Sequence, residues 1–307
     1  MKLGILESTS GIGKMIALGV IILFSALVFS LIGVFLSMLI FGASGMNDVL
    51  SVNLSGESLN ALKIMQILQT TGIFIFPAIL SAFLFSKKPW HYLGFRKVKL
   101  ETILKTLLIV FIALPAINLL ASVNQLIPLS AWMIELEKKA EALTKAFLIT
   151  DNFWVYLVNI FMVAILPALG EELIFRGILQ RRLVELTRSR WFGIILSAAL
   201  FSAIHMQFQG FIPRFALGVA FGYLLEATGS IWVPIAAHFF NNAIAATGYM
   251  LIGMGTFDER IEDIGGLSDL WLLGIVSLVA TSLLIASIKR EFERKNELKQ
   301  AGDCVVE

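Results

Sequence analysis

What most constrains this chain is the recurrence of apolar runs long enough to cross a lipid bilayer. A spanning helix needs about 20 mainly apolar residues. About eight such runs lie near residues 15–42, 61–86, 102–128, 153–180, 191–209, 211–228, 231–253 and 269–288. With 58% hydrophobic and 15% charged residues among 307, and a mean hydropathy of +0.85, most of the chain belongs in lipid. The first run, about 28 residues long, far exceeds the ~7–15 apolar residues of a secretory signal core, so it reads as a retained helix. The expectation is an all-α polytopic membrane protein with about eight transmembrane helices. It forms a single membrane domain over 1–307, with a cytoplasmic tail at 289–307.

The positive charges orient it. Residues 87–99 hold five Lys and Arg, 181–190 hold four and 289–299 hold five, whereas 43–60 hold none and 254–268 hold one. The positive-inside rule then puts both termini on the cytoplasmic side, as only an even number of spans allows. The loop at 129–152 carries Lys138, Lys139 and Lys145 on the expected outer face. Glu135, Glu137 and Glu141 accompany them, and Trp132, Leu136, Leu143 and Phe147 fit an apolar stripe, so an amphipathic interfacial helix is expected. A net charge of +2 leaves no basic tract for nucleic acid, and one cysteine, Cys304, excludes an intramolecular disulfide or a cysteine-rich metal site. The last four residues, Cys304 to Glu307, fit a C-a-a-X prenylation pattern in form only, because Glu is not a favoured final residue.

Ionisable residues at membrane depth cost roughly 2.5–3.5 kcal/mol each, so those present need a reason. Inside the runs, away from their ends, stand Glu171, Glu172, Arg176, His205 and His238, with Asn242 beside them. In a hairpin turning near residue 188, Glu171 and His205 are equidistant from the turn and should face each other about 15 Å deep. His238 and Asn242, four apart, share a helix face that enters the same layer. The same spacing pairs Glu172 with Arg176, which should keep Glu172 charged. Glu171, about 100° around the helix, is then free to act as general base. His205 shares and orients the same water, and His238 and Asn242 donate to an oxyanion. Phe201, one turn before His205, packs on its imidazole. Pro167 frees the carbonyl of Val163, while Gly170, Gly177 and the Gly218-x-x-x-Gly222 face suit close packing. Gly229-Ser230 reads as a hairpin turn.

Glu171-Glu172-Leu-Ile-Phe-Arg176, Phe201-Ser-Ala-Ile-His205 and His238-Phe-Phe-Asn241-Asn242 resemble the EExxxR, FxxxH and HxxxN motifs of the CPBP family. That family comprises type II CAAX prenyl endopeptidases and bacteriocin-processing or Abi-type membrane proteins. The resemblance runs from about 160 to 250. It implies an eight-helix fold with a cavity open to the cytoplasm, in which Glu171 and His205 activate water and His238 and Asn242 stabilise the oxyanion. The family is commonly labelled metalloprotease, although a metal-free, glutamate-dependent mechanism is also proposed for it. Two histidines with carboxylates are zinc-competent donors, which would make Glu171, His205 and His238 the ligands. No His-Glu-x-x-His is present, however, and the residue chemistry favours a metal-free site without a cofactor.

The expected function is hydrolysis of a peptide bond in a membrane-associated substrate, a CAAX-type or leader-like peptide presented at the cytoplasmic face. Membrane lipids and that peptide are the expected partners, and a bacterial inner membrane is the expected location. The alternatives are a proton- or cation-coupled transporter built on the same buried Glu and His residues, and a non-catalytic bacteriocin-immunity protein.

Overall fold

The computed structural model describes residues 3–50, 56–258 and 264–303; the C-a-a-X-like ending at Cys304 lies outside them. Among these residues all regular structure is helical. In chain order the helices are α1 (Gly11–Leu50), α2 (Gly56–Phe85), α3 (Pro89–Leu93), α4 (Leu100–Gln125) and α5 (Ala131–Leu148). They are followed by α6 (Phe153–Thr187), α7 (Arg190–Ala203), α8 (Phe211–Thr228), α9 (Trp232–Gly253) and α10 (Trp271–Asp303). Five of them are long and apolar enough to cross a membrane: α1 up to Gly42, α2, α4, α6 and the Trp271–Glu293 part of α10. This is an integral membrane protein.

Each of the eight apolar runs coincides with a helix, and 211–228 does so residue for residue. The run at 191–209 is the clearest departure, because α7 ends at Ala203. Fourteen residues make a helix of about 21 Å, short of the ~30 Å hydrocarbon core. Beyond Ala203 the chain turns through Met206, at φ 52°, and is tied to two neighbouring helices. Asn124 of α4 donates from Nδ2 to the Phe208 carbonyl at 2.9 Å and accepts the Ile212 N–H at 2.6 Å. Glu137 of α5 accepts the Gln209 N–H at 3.0 Å. Irregular backbone at this depth is tolerated because protein, not lipid, satisfies it.

Helix ends obey local chemistry. Asn152 caps α6, its Oδ1 accepting from the N–H groups of Trp154 and Val155, and Ser189 caps α7 through the Phe192 N–H. Gly229, at φ 67°, closes α8, and the Ser230 hydroxyl then donates to the Arg96 carbonyl at 2.6 Å, fixing the α8–α9 hairpin. Helix α5 covers the α6 and α9 side: Leu143 packs with Phe147, Leu148, Met162 and Tyr249, while Glu135–Lys139 and Glu141–Lys145 pairs lie on its outer surface.

Two spanning helices are not regular. Thr71–Ile75 in α2, and Phe161–Ile165 and Leu173–Gln180 in α6, are π-helical, so the i→i+5 register flanks the two glutamates on both sides. Prolines contribute, since each removes a donor from the ladder. Pro77 leaves the Gly72 carbonyl without its π partner, and Ser25 of α1 donates to it at 2.6 Å. Pro167 takes a donor out of the ladder beside Val163, whose carbonyl accepts from Asn242 of α9 at 2.9 Å. The first two of these three stretches are thus each met by a side chain from a neighbouring helix.

Helices α6, α7 and α8 pack closely through the small residues of α8. A Cβ on Gly218 would meet Ala198 Cβ at 2.9 Å, and one on Gly222 would meet Gln180 Oε1 at 2.6 Å. Over this face the fully buried Arg176 and Gln180, four apart, donate to the carbonyls of Gly218 (3.0 Å) and Gly222 (3.1 Å). The interface is polar as well as small, as expected where lipid supplies no hydrophobic drive between helices.

Candidate active site

Phe201 is the hub of the site. Its ring meets Phe175 edge to face at 5.4 Å, His205 at 5.3 Å and His238 at 5.8 Å, and the Arg176 guanidinium lies 4.6 Å from its centre. Phe221 of α8 lies on the other side, stacked on His238 at 5.4 Å and 5.6 Å from the guanidinium. A buried cation between two ring faces gains on the order of 2 kcal/mol from each well-placed face once desolvated. This packing leaves the imidazoles and Arg176 little rotational freedom.

The carboxylates divide as their positions on α6 suggest. Glu172 is fully buried, and its Oε1 accepts from Arg176 Nη1 at 3.0 Å and from His238 Nδ1 at 2.9 Å. The Arg176 pair is the one expected from the spacing; the His238 contact is additional. Glu171 points elsewhere, onto the wall of a cavity of about 680 Å³ that it shares with His205, His238 and Asn242. Its Oε2 lies 3.9 Å from His238 Nε2 and has no hydrogen-bond partner among the described residues. His238, rather than His205, is therefore the imidazole at ion-pair distance from Glu171.

Hydrogen bonding sets which ring nitrogens are usable. The partner of His205 Nδ1 is the Phe201 carbonyl at 2.8 Å, which only accepts, so the proton sits on Nδ1 and Nε2 presents a lone pair. His238 likewise gives its Nδ1 proton to Glu172, leaving Nε2 as its edge toward Glu171. Asn242 spends one amide hydrogen on the Val163 carbonyl and accepts from Asn241 Nδ2 at 3.2 Å, which leaves one N–H.

Sequence reasoning missed three groups on the cavity wall: Phe221, Asn241 and Arg214. Arg214 was the most legible of them, a cation inside the apolar run of α8. Helix α5 supplies a further wall with Ala140, Leu143, Thr144 and Phe147, so the helix expected at the interface also covers the cavity. The family resemblance also raised zinc. Among the described residues no three His, Cys, Asp or Glu side chains come together as a ligand set, although the Nδ1 bonds of His205 and His238 leave Nε2 of each ring as its edge on the cavity.

Residues 152–244 enclose all of these groups except the wall of α5, and they match the sequence model of the family described as type II CAAX prenyl endopeptidase Rce1-like. In this segment the chain resembles the Rce1-like family. Two curated proteins from Bacillus subtilis (strain 168) are similar to this chain. "Uncharacterized protein YpbD" is 30% identical over 110 residues, 34% of this chain and 53% of its own length. "Putative membrane peptidase YdiL" is 38% identical over 72 residues, 24% of this chain and 29% of its own length. The chain thus spans about half or less of the curated relatives it matches. No solved structure matches.

Proposed function

We propose that this chain is an intramembrane endopeptidase in which Glu171 activates water. The observation that carries the reading is the relay Glu172–His238–Glu171 at the wall of a cavity large enough for a peptide segment. A water held there gives one proton to Glu171 and directs the other at the Nε2 lone pair of His205. Its oxygen attacks the peptide carbonyl. The charge that develops on the carbonyl oxygen is met by the remaining Asn242 N–H and by His238 in its cationic form, donating from Nε2. Glu171 then delivers its proton to the departing amine, so one water is consumed and both new termini are formed. Glu172 and Arg176 hold His238 in place and touch no reacting atom.

The substrate class in this reading is a membrane-associated peptide presented from the cytoplasmic side, CAAX-type or leader-like, and the catalytic groups are those of the chain itself, without zinc. Purified protein in detergent is incubated with prenylated CAAX peptides and with leader-type peptides. Cleavage is expected in one set and absent in Glu171→Gln and His205→Ala. Cleavage that persists in Glu171→Gln sinks the mechanism, and cleavage that tracks zinc content on metal analysis sinks its metal-free form. Proton-coupled flux in liposomes with no cleavage would return the site to the transport class.

A further inference from the structure

Behind the active site, between α4, α8 and α10, lies a second cleft, of about 380 Å³. Phe221 and Leu217 line both it and the catalytic cavity, so these two side chains form the partition between them. The cleft opens toward lipid along α10, where Leu278 and Ser282 are exposed. At the end nearest the basic 181–190 and 289–299 segments, Trp191 stacks on Tyr223 at 5.8 Å, and Lys289 Nζ lies 5.8 Å from the centre of the Tyr223 ring. Measured from that end, the cleft is one leaflet deep. Tyr223 to Pro213 on α8 and Lys289 to Leu278 on α10 each rise about 15 Å, half of a ~30 Å hydrocarbon core. Among the described residues the lining beyond Tyr223 is apolar except for Thr281 and Ser282, and the Ser282 hydroxyl is spent on the Leu278 carbonyl at 2.8 Å. A peptide lying there would leave most of its backbone groups unpaired in an apolar medium. An alkyl chain brings no such groups.

We infer that the cleft holds one acyl chain of a phospholipid from the leaflet on the side of the basic loops, with the phosphate of that lipid at Lys289. The acyl chain matches the depth and the apolar lining, and the cation at the mouth matches the phosphate. Lys289 also lies 3.5 Å from Glu293, but that pair is exposed, 43% and 58%, and screened by water, so the ammonium remains open to a second anion. Trp191 and Tyr223 at the mouth are amphipathic rings of the kind that settle at headgroup level. A chain in the cleft packs on Phe221, whose ring is stacked on His238, without entering the catalytic cavity. The lipid is thus a resident support for the wall of the site, and its binding is independent of the reaction at Glu171.

The test is photolabelling of the full-length protein in a maltoside detergent. Three probes carry a diazirine near the end of a chain of equal length: phosphatidylglycerol, the corresponding fatty alcohol, and a prenyl alcohol. Labelled peptides are mapped by mass spectrometry. Phosphatidylglycerol should label segments 109–120, 213–224 and 278–286 about 10-fold more densely than the exposed Leu23, Phe24 and Leu27 of α1, and excess phosphatidylglycerol without the diazirine should remove that difference. The fatty alcohol should label the same segments about 5-fold less, the contribution of one lysine to holding a phosphate at the surface, and Lys289→Gln should bring phosphatidylglycerol down to that level. Ala220→Phe, which fills the cleft from α8, should abolish the competable labelling. Cleft labelling no denser than that of α1, labelling unchanged in Ala220→Phe, preference for the prenyl alcohol over phosphatidylglycerol, or equal labelling by phosphatidylglycerol and the fatty alcohol overturns the inference. If Ala220→Phe does not fold, the competition and the three-probe comparison on the unsubstituted protein decide by themselves.

Discussion

His238 stands between two adjacent glutamates of one helix, its Nδ1 2.9 Å from Glu172 Oε1 and its Nε2 3.9 Å from Glu171 Oε2. Neighbouring residues on a helix point about 100° apart, so one imidazole reaches both only by lying across the helix from α9, edge-on to Phe201 and stacked on Phe221. The two carboxylates consequently have different surroundings. One is enclosed by donors, and the other keeps an oxygen without a partner beside the cavity.

That difference predicts opposite phenotypes for the same substitution. Glu171→Gln should fold normally and lose about 10²- to 10⁴-fold in peptide cleavage, the usual contribution of a positioned general base. Glu172→Gln should lose activity through a misplaced His238 and also melt earlier in detergent. Rates and melting curves for the two proteins together check this. Equal melting of both would contradict the assigned roles.

Removing Arg176 should be the more damaging change to the fold. It is fully buried, and it bonds Glu172 and the Gly218 carbonyl while lying between the rings of Phe201 and Phe221. Arg176→Ala leaves a charged carboxylate and a carbonyl exposed to a void, and breaking a buried pair from one side costs about 3–5 kcal/mol. Replacing both partners, Arg176→Met with Glu172→Leu, should be less destabilising than Arg176→Ala alone, although inactive. Chemical denaturation in detergent micelles gives the comparison.

Gly218→Ala should act on the site from a distance. Its new methyl meets Ala198 Cβ at 2.9 Å and Ala198 Cα at 3.1 Å, so α7 must move, and Phe201, whose Cδ1 is 3.3 Å away, must move with it. Overpacking of this kind costs about 1–3 kcal/mol. Activity should fall together with stability. Gly222→Ala meets the far end of a side chain, Gln180 Oε1 at 2.6 Å, and should be milder in both measurements.

The sequence made the helices and the participants legible for different reasons. Apolar runs locate helices whatever their internal register, and so 211–228 was read without error. The polar residues stood out because lipid admits so few of them. Distances across the hairpin were another matter, because counting from a turn assumes regular α-helix on both sides. In α6 the segment Leu173–Gln180 is wound as a π-helix, and in α7 the helix stops before His205, so neither arm has the assumed rise. Neither feature has a periodicity signature, since the Leu173–Gln180 π turns and the 204–210 loop receive contacts from Ser197, Asn124 and Glu137, distant in sequence. The second bond of Glu172, to His238, was hidden for the same reason.

Asn242 has two roles that can be separated experimentally. One amide hydrogen caps the Val163 carbonyl at 2.9 Å, in the π-helical stretch beside Pro167, which takes a donor out of the ladder. The other hydrogen is the one proposed for the oxyanion. Asn242→Ala should therefore lose about 1–3 kcal/mol of stability from the orphaned carbonyl, and kcat should drop as well. Adding Pro167→Ala supplies a backbone N–H four residues beyond Val163, which an α register in place of the π turn would bring to that carbonyl. The double variant should recover most of the melting temperature of the unsubstituted protein and none of its lost kcat. Recovery of both together would show that Asn242 acts only by holding the backbone, and recovery of neither would show that the Val163 carbonyl is not what its loss exposes.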